Sequence, residues 1–227
     1  QTLKQVKSTS ISSGNDLKKK VEKGRIRLYA YQHEDGGWGW WKNDPSDPFM
    51  TAYVVDGLTI AKQAGYEVDD NRISRGREKL ASMLQAGTND QGKQIDGETR
   101  AFMVYALAET GDVDSSQIDK LFNERLNLQP YGRALLALTL SLRSDKRAAE
   151  VANEIERTAR NDGGSASWHS KREQRLDFAD QDETEGTALS LKALARIKPN
   201  SPLLPLVARY LVSDRTNSYY WNSTKDT

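Results

Sequence analysis

Two glutamates occupy positions where acid–base chemistry could be carried out. Glu98 lies directly before Thr99, and Glu185 lies two residues before Thr187, each at the start of an apolar helical segment. An acid near a helix N-terminus satisfies free N–H groups and is favoured by the helix dipole, which makes capping the simpler interpretation. Carboxylates at one rim of a helical ring could equally supply the acid and the base of a glycoside hydrolase. A carbohydrate-active ring enzyme that uses Glu98 and Glu185 is therefore the alternative hypothesis.

The absence of cysteine and the scarcity of histidine exclude other chemistries. With no cysteine among its 227 residues, the chain can form no disulfide, no thiolate metal site and no cysteine nucleophile. His33 lies at the end of a predicted helix, where we expect it to contact free carbonyl groups, and His169 lies in a polar loop. Neither has a second histidine at a metal-binding spacing, and no nucleotide-binding fingerprint occurs. We therefore predict no metal and no cofactor.

The composition is that of one large domain or two small ones, without the charge that would attract a polyanion. Lys and Arg number 33 and Asp and Glu number 32, so the net charge is +1. This balance argues against binding to nucleic acid or to an anionic membrane surface. No apolar run approaches the roughly 20 residues that a membrane-spanning helix needs, so we predict no direct membrane insertion.

All five tryptophans fall in three loops that also contain glycine or serine. Glycine allows the backbone to turn tightly, and an aromatic ring can then close the end of a helix pair. We predict that these tryptophans, with one tyrosine from a following helix, form a structural rim. The set is Trp38, Trp40, Trp41, Tyr53, Trp168 and Trp221. A platform for a carbohydrate or an apolar ligand is the functional alternative.

The elements that would position these loops are helices of two alternating kinds. Apolar residues at intervals of three and four mark one-sided helices with charged backs, such as residues 17–31 and 148–159. Between them lie helices that are apolar nearly all round and are therefore predicted to be buried, such as residues 49–60 and 101–108. The pattern recurs after about 46 residues, which is typical of helical hairpin repeats.

Burial of the inner helices favours a closed ring, because an open solenoid would leave a polar stripe on each of them. The predicted fold class is all-α, an α/α toroid of helical hairpins that is incomplete at both ends. Residues 1–14 are predicted as a linker or disordered start and residues 15–227 as the toroid. An aspartate and a serine before proline mark two helix starts, at Asp47–Pro48 and Ser201–Pro202.

Three motifs in the same order resemble the thioester domain of the alpha-macroglobulin and complement family. The first is the sequence WGWW at residues 38–41 followed by TAYVV at residues 51–55. Residues 183–194 resemble its late inner helix, and residues 221–227 resemble its closing segment. The Gly-Gly-Trp-Gly-Trp-Trp form is similar to the bacterial branch. The resemblance implies an α/α toroid that serves to entrap or tag a target after a protease cuts elsewhere in the parent chain.

The chain departs from this family at its defining chemistry. The family's thioester joins the Cys and Gln of a Cys-x-Glu-Gln motif, whereas no cysteine occurs here. Residues 86–97 also lack the histidine that some complement-type members use to direct the thioester toward hydroxyl groups. We therefore expect a fragment of a bacterial alpha-macroglobulin-like protease-trapping inhibitor, without the reactive cysteine and not itself an enzyme.

The resemblance also implies partners and a compartment. The scaffold would contact other domains of the parent chain and, through the parent, target proteases. The parent would be periplasmic, or in the cell envelope or outside the cell. A start at Gln1 and a polar end at residues 221–227 favour a segment of a longer protein. Helices missing from the ring would expose apolar inner faces, so we predict that the isolated chain self-associates or is partly disordered near residues 1–14.

Overall fold

The computed structural model describes residues 11–169 and 183–215, which form nine α-helices, one 3-10 helix and one short hairpin. The α-helices are α1 (Ile11–Ala30), α2 (Pro48–Gln63), α3 (Asp70–Ala86), α4 (Gly97–Thr110), α5 (Ser115–Glu124), α6 (Pro130–Leu142), α7 (Arg147–Arg157), α8 (Glu183–Ile197) and α9 (Leu203–Ser213). The 3-10 helix is Arg125–Asn127, and strands β1 (Arg160–Asn161) and β2 (Ala166–Ser167) pair antiparallel. The predicted all-α fold class is confirmed.

Aspartate caps explain where four of these helices begin. In each, the side chain accepts a hydrogen bond from a backbone N–H of the first turn, which satisfies a donor that the helix itself cannot. The caps are Asp47, Asp69, Asp96 and Asp114, before α2, α3, α4 and α5. The predicted cap at Asp47 is therefore confirmed. Helix α9 begins at Leu203, one residue after the expected Pro202, and the Ser201 hydroxyl accepts from the Leu203 N–H at 3.3 Å.

The chain divides into two compact units, residues 1–95 and residues 96–227. In the first unit, α2 packs against α3. One face of α2 is exposed, with Tyr53, Gly57 and Ile60 at helical spacing. The sequence predicts a helix buried on most sides, and α2 differs from that expectation because no described element covers this face. Helix α1 begins at Ile11, inside the stretch predicted as a linker.

In the second unit, the expectation of buried inner helices is confirmed. Helix α4 is buried at Glu98, at Thr99 and from Ala101 through Leu107, and α6 is buried at seven successive positions, 134–140. Helix α6 lies at the centre, in contact with α4, α7 and α8. The outer helices α5 and α7 bury one side only, as their amphipathic sequences predict.

Candidate functional site: two tryptophan-anchored loops

Trp38 joins the end of an outer helix to the start of the next inner helix in the first unit. Its side chain is 2% exposed, and its indole N–H donates to the Leu28 carbonyl in α1 at 2.8 Å. The Trp38 backbone N–H donates to the Thr51 hydroxyl in α2 at 3.0 Å, and that hydroxyl donates back to the Trp38 carbonyl. A buried indole N–H needs such an acceptor, because an unpaired buried donor is costly.

Trp168 is anchored in the same way in the second unit. Its side chain is 1% exposed, and its indole N–H donates to the Ile155 carbonyl in α7 at 2.8 Å. Its backbone N–H donates to the Thr187 hydroxyl in α8 at 3.2 Å. The anchoring role of Thr51 and Thr187 was not predicted from the sequence. A threonine at the fourth or fifth position of the inner helix after each tryptophan loop is the signal that could have identified them.

The glycines of the Trp38 loop are closely packed, unlike those of the Trp168 loop. Gly36 has φ +89°, and a Cβ there would lie 2.5 Å from the Arg75 carbonyl oxygen in α3. A Cβ on Gly37 would collide with the Ser46 hydroxyl. By contrast, a Cβ on Gly164 would meet only Asp162, at 3.6 Å, and Gly163 has open space around it. Glycine is therefore required sterically at Gly36 and Gly37 but not at Gly164.

A chain of polar contacts fastens the Trp38 loop to α3. Lys79 lies 2.7 Å from Asp35 and 2.8 Å from Asp90, and so connects two loops of the first unit. Burial alone would raise the pKa of Asp35, but hydrogen bonds from Lys79, the Gly37 amide and Ser46 outweigh it, so that this pKa lies below its usual value. Burial likewise lowers the pKa of Lys79, and the two carboxylates more than reverse this.

His33 belongs to the same group of contacts. Its Nδ1 atom lies 2.9 Å from the Ser46 hydroxyl, which donates to Asp35 at 2.8 Å. The expectation that His33 would contact free helix carbonyls is therefore wrong, since the loop folds Ser46 against the ring. The other histidine, His169, contacts the Glu183 carboxylate through its Nδ1 atom.

The predicted rim residues fall into two sets. Trp38 and Trp168 are buried, as described above. Trp40, Trp41 and Tyr53 are 48%, 75% and 54% exposed. Tyr53 stacks on Phe49 with ring centroids 6.3 Å apart. Trp221 lies outside the described residues, and Trp40, Trp41 and Tyr53 are the exposed members of the predicted set, all in the first unit.

The two carboxylates of the alternative hypothesis lie in the second unit. Glu98 is buried, and its carboxylate oxygens accept from the backbone N–H groups of Gln129 and Gly132 at 2.8 and 2.7 Å. These amides lie at the N-terminus of α6, so Glu98 caps a neighbouring helix, while Asp96 caps its own. Glu185 lies half-buried in the first turn of α8. The geometry of Glu98 is that of a cap.

Within residues 11–169 and 183–215, no three acidic or histidine side chains are arranged to hold a metal ion. Over the same residues, no helix combines the length and the apolar character needed to cross a membrane.

Comparisons with known sequences lead to one family. A family model described as "A-macroglobulin TED domain" matches residues 1–96. Alpha-2-macroglobulin of Thermotoga maritima is 46% identical over 65 residues, which are 29% of this chain and 4% of that protein. Alpha-2-macroglobulin of Escherichia coli is 37% identical over 84 residues, which are 36% of this chain and 5% of that protein. The chain thus spans a small part of the length of these relatives.

Solved structures extend the similarity over most of the chain. Native alpha-2-macroglobulin from E. coli, spanning domain MG7 to the C-terminus, matches with a TM-score of 0.72 at 23% identity, covering 93% of this chain and 33% of that chain. Salmonella alpha-2-macroglobulin reacted with methylamine matches with a TM-score of 0.66 at 23% identity, covering 88% and 13%. At these identities the similarity shows a shared fold.

Fold and site together define an all-α domain of paired helices whose loops are anchored by buried tryptophans. The comparisons support a bacterial alpha-2-macroglobulin-like thioester domain, in agreement with the resemblance found in the sequence motifs.

Proposed function

We propose that this chain is the helical scaffold of a thioester domain in a bacterial alpha-macroglobulin-like protease trap. The observation that carries the proposal is the family match over residues 1–96 together with the fold shared with E. coli alpha-2-macroglobulin. Related solved structures include E. coli alpha-2-macroglobulin activated by trypsin and by porcine elastase. The parent protein would act in the periplasm, in the cell envelope or outside the cell.

The scaffold has a non-catalytic role in this proposal. With no cysteine, these 227 residues cannot form a thioester among themselves. The reactive group would come from another part of the parent, and the helices would shelter it within an α/α toroid. The exposed apolar face of α2 supports this role, because a face with Tyr53 and Ile60 in water is more stable when another segment of the parent covers it.

The experiment uses the full-length parent protein and trypsin. A trap that encloses the protease blocks cleavage of casein but leaves cleavage of a small peptide amide largely intact, because the small substrate still diffuses in. We expect that difference, together with a mobility change on native gels. Trypsin inactivated beforehand is the matched control for the mobility change and should not produce it.

Two results would contradict the proposal. The first is a parent gene with no Cys-x-Glu-Gln motif before the codon for Gln1, combined with no protection of casein. The second is equal loss of activity on casein and on the small amide, since that indicates an ordinary active-site inhibitor.

A further inference from the structure

The net charge of +1 conceals an uneven distribution, because many cations of the first unit are concentrated on helix α1. Residues 18–27 contain six basic residues and a single acid, Glu22. The basic residue Arg25 pairs with Glu22. The other five are exposed and have no ion-pair partner among the described residues of the chain: Lys18, Lys19, Lys20, Lys23 and Arg27.

Three of these cations form a row along one side of α1. Lys19, Lys23 and Arg27 are spaced four residues apart, so each lies about 6 Å further along the helix axis than the one before. Lys20 lies beside the row, and the four side chains occupy a sector of roughly 100° around the axis. Asp16 is the one acid on this side of α1, and it lies about a full turn before the row.

This row is unfavourable within the chain itself. Like charges four residues apart on a helix repel each other, and the row contains two such pairs. Elsewhere in the first unit, acids lie beside several cations: Lys62 pairs with Asp70, and Lys79 contacts two carboxylates. A partner that brought negative charge to α1 would relieve a repulsion that no described residue of this chain relieves.

Helix α1 is attached to the first unit near its C-terminal end. The Leu28 carbonyl accepts from the Trp38 indole N–H, and the Tyr29 hydroxyl accepts from the Asp69 backbone N–H at 2.8 Å. These contacts fix the helix without covering the row, whose side chains stay exposed. Because the backbone that carries the cations is already helical, a partner does not have to order it on binding.

The apolar residues of α1 favour a protein partner over a membrane surface. Leu17 and Ile26 are 40% and 56% exposed, but they are nine residues apart and therefore lie on opposite sides of the helix. A helix that lies in a membrane interface needs one continuous apolar face. Leu17 is three residues from Lys20 and borders the cationic sector, so an amphipathic partner can cover it while carboxylates meet the cations.

We propose that the cationic face of α1, formed by Lys19, Lys20, Lys23 and Arg27, is a docking surface for an acidic amphipathic helix of another polypeptide segment. Glutamates at positions i, i+4 and i+8 of such a helix repeat at the same 6 Å or so as the row, so that successive carboxylates meet successive cations. Charge complementarity of this kind determines the position of the partner along α1. The surface does not depend on the proposed role in a protease trap, because every residue in it belongs to α1.

Binding of designed peptides to the 227-residue chain tests the surface. One helical peptide of about 20 residues carries glutamates at i, i+4 and i+8 beside leucines, and its control has glutamine in place of each glutamate. Titration calorimetry is performed at low salt and at about 0.5 M NaCl. We expect the glutamine peptide to bind at least about tenfold more weakly at low salt, and high salt to weaken the glutamate peptide by about the same factor.

Variants of the chain show whether the row is responsible. The row variant combines Lys19→Gln, Lys23→Gln and Arg27→Gln and should bind the glutamate peptide about tenfold more weakly, since three exposed ion pairs are lost. The control variant removes the same charge from three exposed lysines outside α1 and should change the affinity by less than about twofold. Its substitutions are Lys42→Gln, Lys93→Gln and Lys120→Gln.

The same variants separate docking from a role in folding. Because the row variant loses two repulsive pairs, its urea midpoint should not fall below that of the unaltered chain. A clear fall would assign the cations to stability and overturn the proposal. Equal binding of the two peptides, or equal binding by the row variant and the unaltered chain, overturns it as well. Row-dependent binding to phosphatidylglycerol vesicles, with none to the glutamate peptide, overturns the choice of a protein partner.

Discussion

The Trp38 loop and the Trp168 loop share a tryptophan anchor and differ in how closely their glycines are packed. In both, an indole N–H donates at 2.8 Å to a carbonyl of the preceding outer helix, and a threonine of the next inner helix binds the tryptophan backbone. Around Trp38, closely packed glycines and an ion pair hold the loop against α3. Around Trp168 the glycines are open, and the loop is held by the turn at residues 161–165 and by Arg209 of α9, which donates to the Gly164 carbonyl at 2.9 Å. The tryptophan anchor is common to both loops, and the close packing of glycines is particular to the loop with two exposed tryptophans.

The largest expected effect comes from removing either anchor. Trp38→Ala and Trp168→Ala should each lower the free energy of unfolding by about 3–5 kcal/mol, because each leaves a cavity and an unpaired carbonyl. Urea denaturation followed by circular dichroism measures the loss, and hydrogen exchange shows whether it falls on residues 28–55 or 155–190. A loss of unfolding free energy below about 1 kcal/mol for either variant would show that the two tryptophans are not equivalent anchors.

Substitution of one glycine in each loop should have different effects on stability. Gly36→Ala places a Cβ against a backbone oxygen at positive φ and should cost about 2–4 kcal/mol. Gly164→Ala is the matched control in the other loop and should change stability by no more than about 0.5 kcal/mol, since its nearest contact is an ordinary one. Both are measured by urea denaturation. Equal costs would mean that the close packing around Gly36 does not constrain the loop.

The Asp35–Lys79 pair should make a smaller, pH-dependent contribution. Because the pKa of Asp35 is lowered in the folded chain, its contribution is present above the ordinary value of about 3.9 and is lost as the pH falls through the folded value. The raised pKa of Lys79 keeps the pair intact until strongly alkaline pH. Lys79→Met should therefore cost about 1 kcal/mol at pH 7, a modest figure because the Asp35 side chain is more than a third exposed.

Denaturation curves of the Lys79→Met variant and the unaltered chain, recorded from pH 7 to pH 3, check this prediction. The difference between them should narrow below about pH 4. A difference that narrows already between pH 7 and pH 5.5 would contradict the assignment of this pH dependence to Asp35.

The smallest effect on stability is expected at an exposed tryptophan of the Trp38 loop. Trp41→Ser should change the free energy of unfolding by no more than about 0.5 kcal/mol, because this side chain is 75% exposed. It should, however, reduce the self-association that we predict for the isolated chain, measured by light scattering. Leu126→Ser, at an exposed leucine of the second unit, is the control and should leave association unchanged.

Helix caps show which contacts can be predicted from neighbouring residues in the sequence and which cannot. The cap at Asp47 could be predicted because the aspartate and the helix it caps are adjacent in the chain. The cap that Glu98 provides for α6 could not, because donor and acceptor are 31 to 34 residues apart and meet only when α4 packs against α6. The ion pairs of Lys79 could not be predicted for the same reason, because its two partners, Asp35 and Asp90, belong to different loops.

Helix ends likewise depend on contacts between segments that are distant in the chain. The spacing of apolar residues predicts one amphipathic helix over residues 118–126, but α5 ends at Glu124 and the chain continues as a 3-10 turn to Asn127. There Arg125 turns toward Glu150 and Glu154 of α7, contacts that sequence periodicity cannot include.

The sequence by itself determined the all-α class, the order of the helices, the resemblance to a thioester domain and the absence of a thioester cysteine from these residues. Each of these depends on residue identity or on spacing within a single helix. Only the tertiary structure decided which tryptophans are anchors and which are exposed, and that His33 contacts Ser46. Burial and hydrogen-bond partners are set by contacts between segments distant in the chain, and periodicity within one segment contains no information about them.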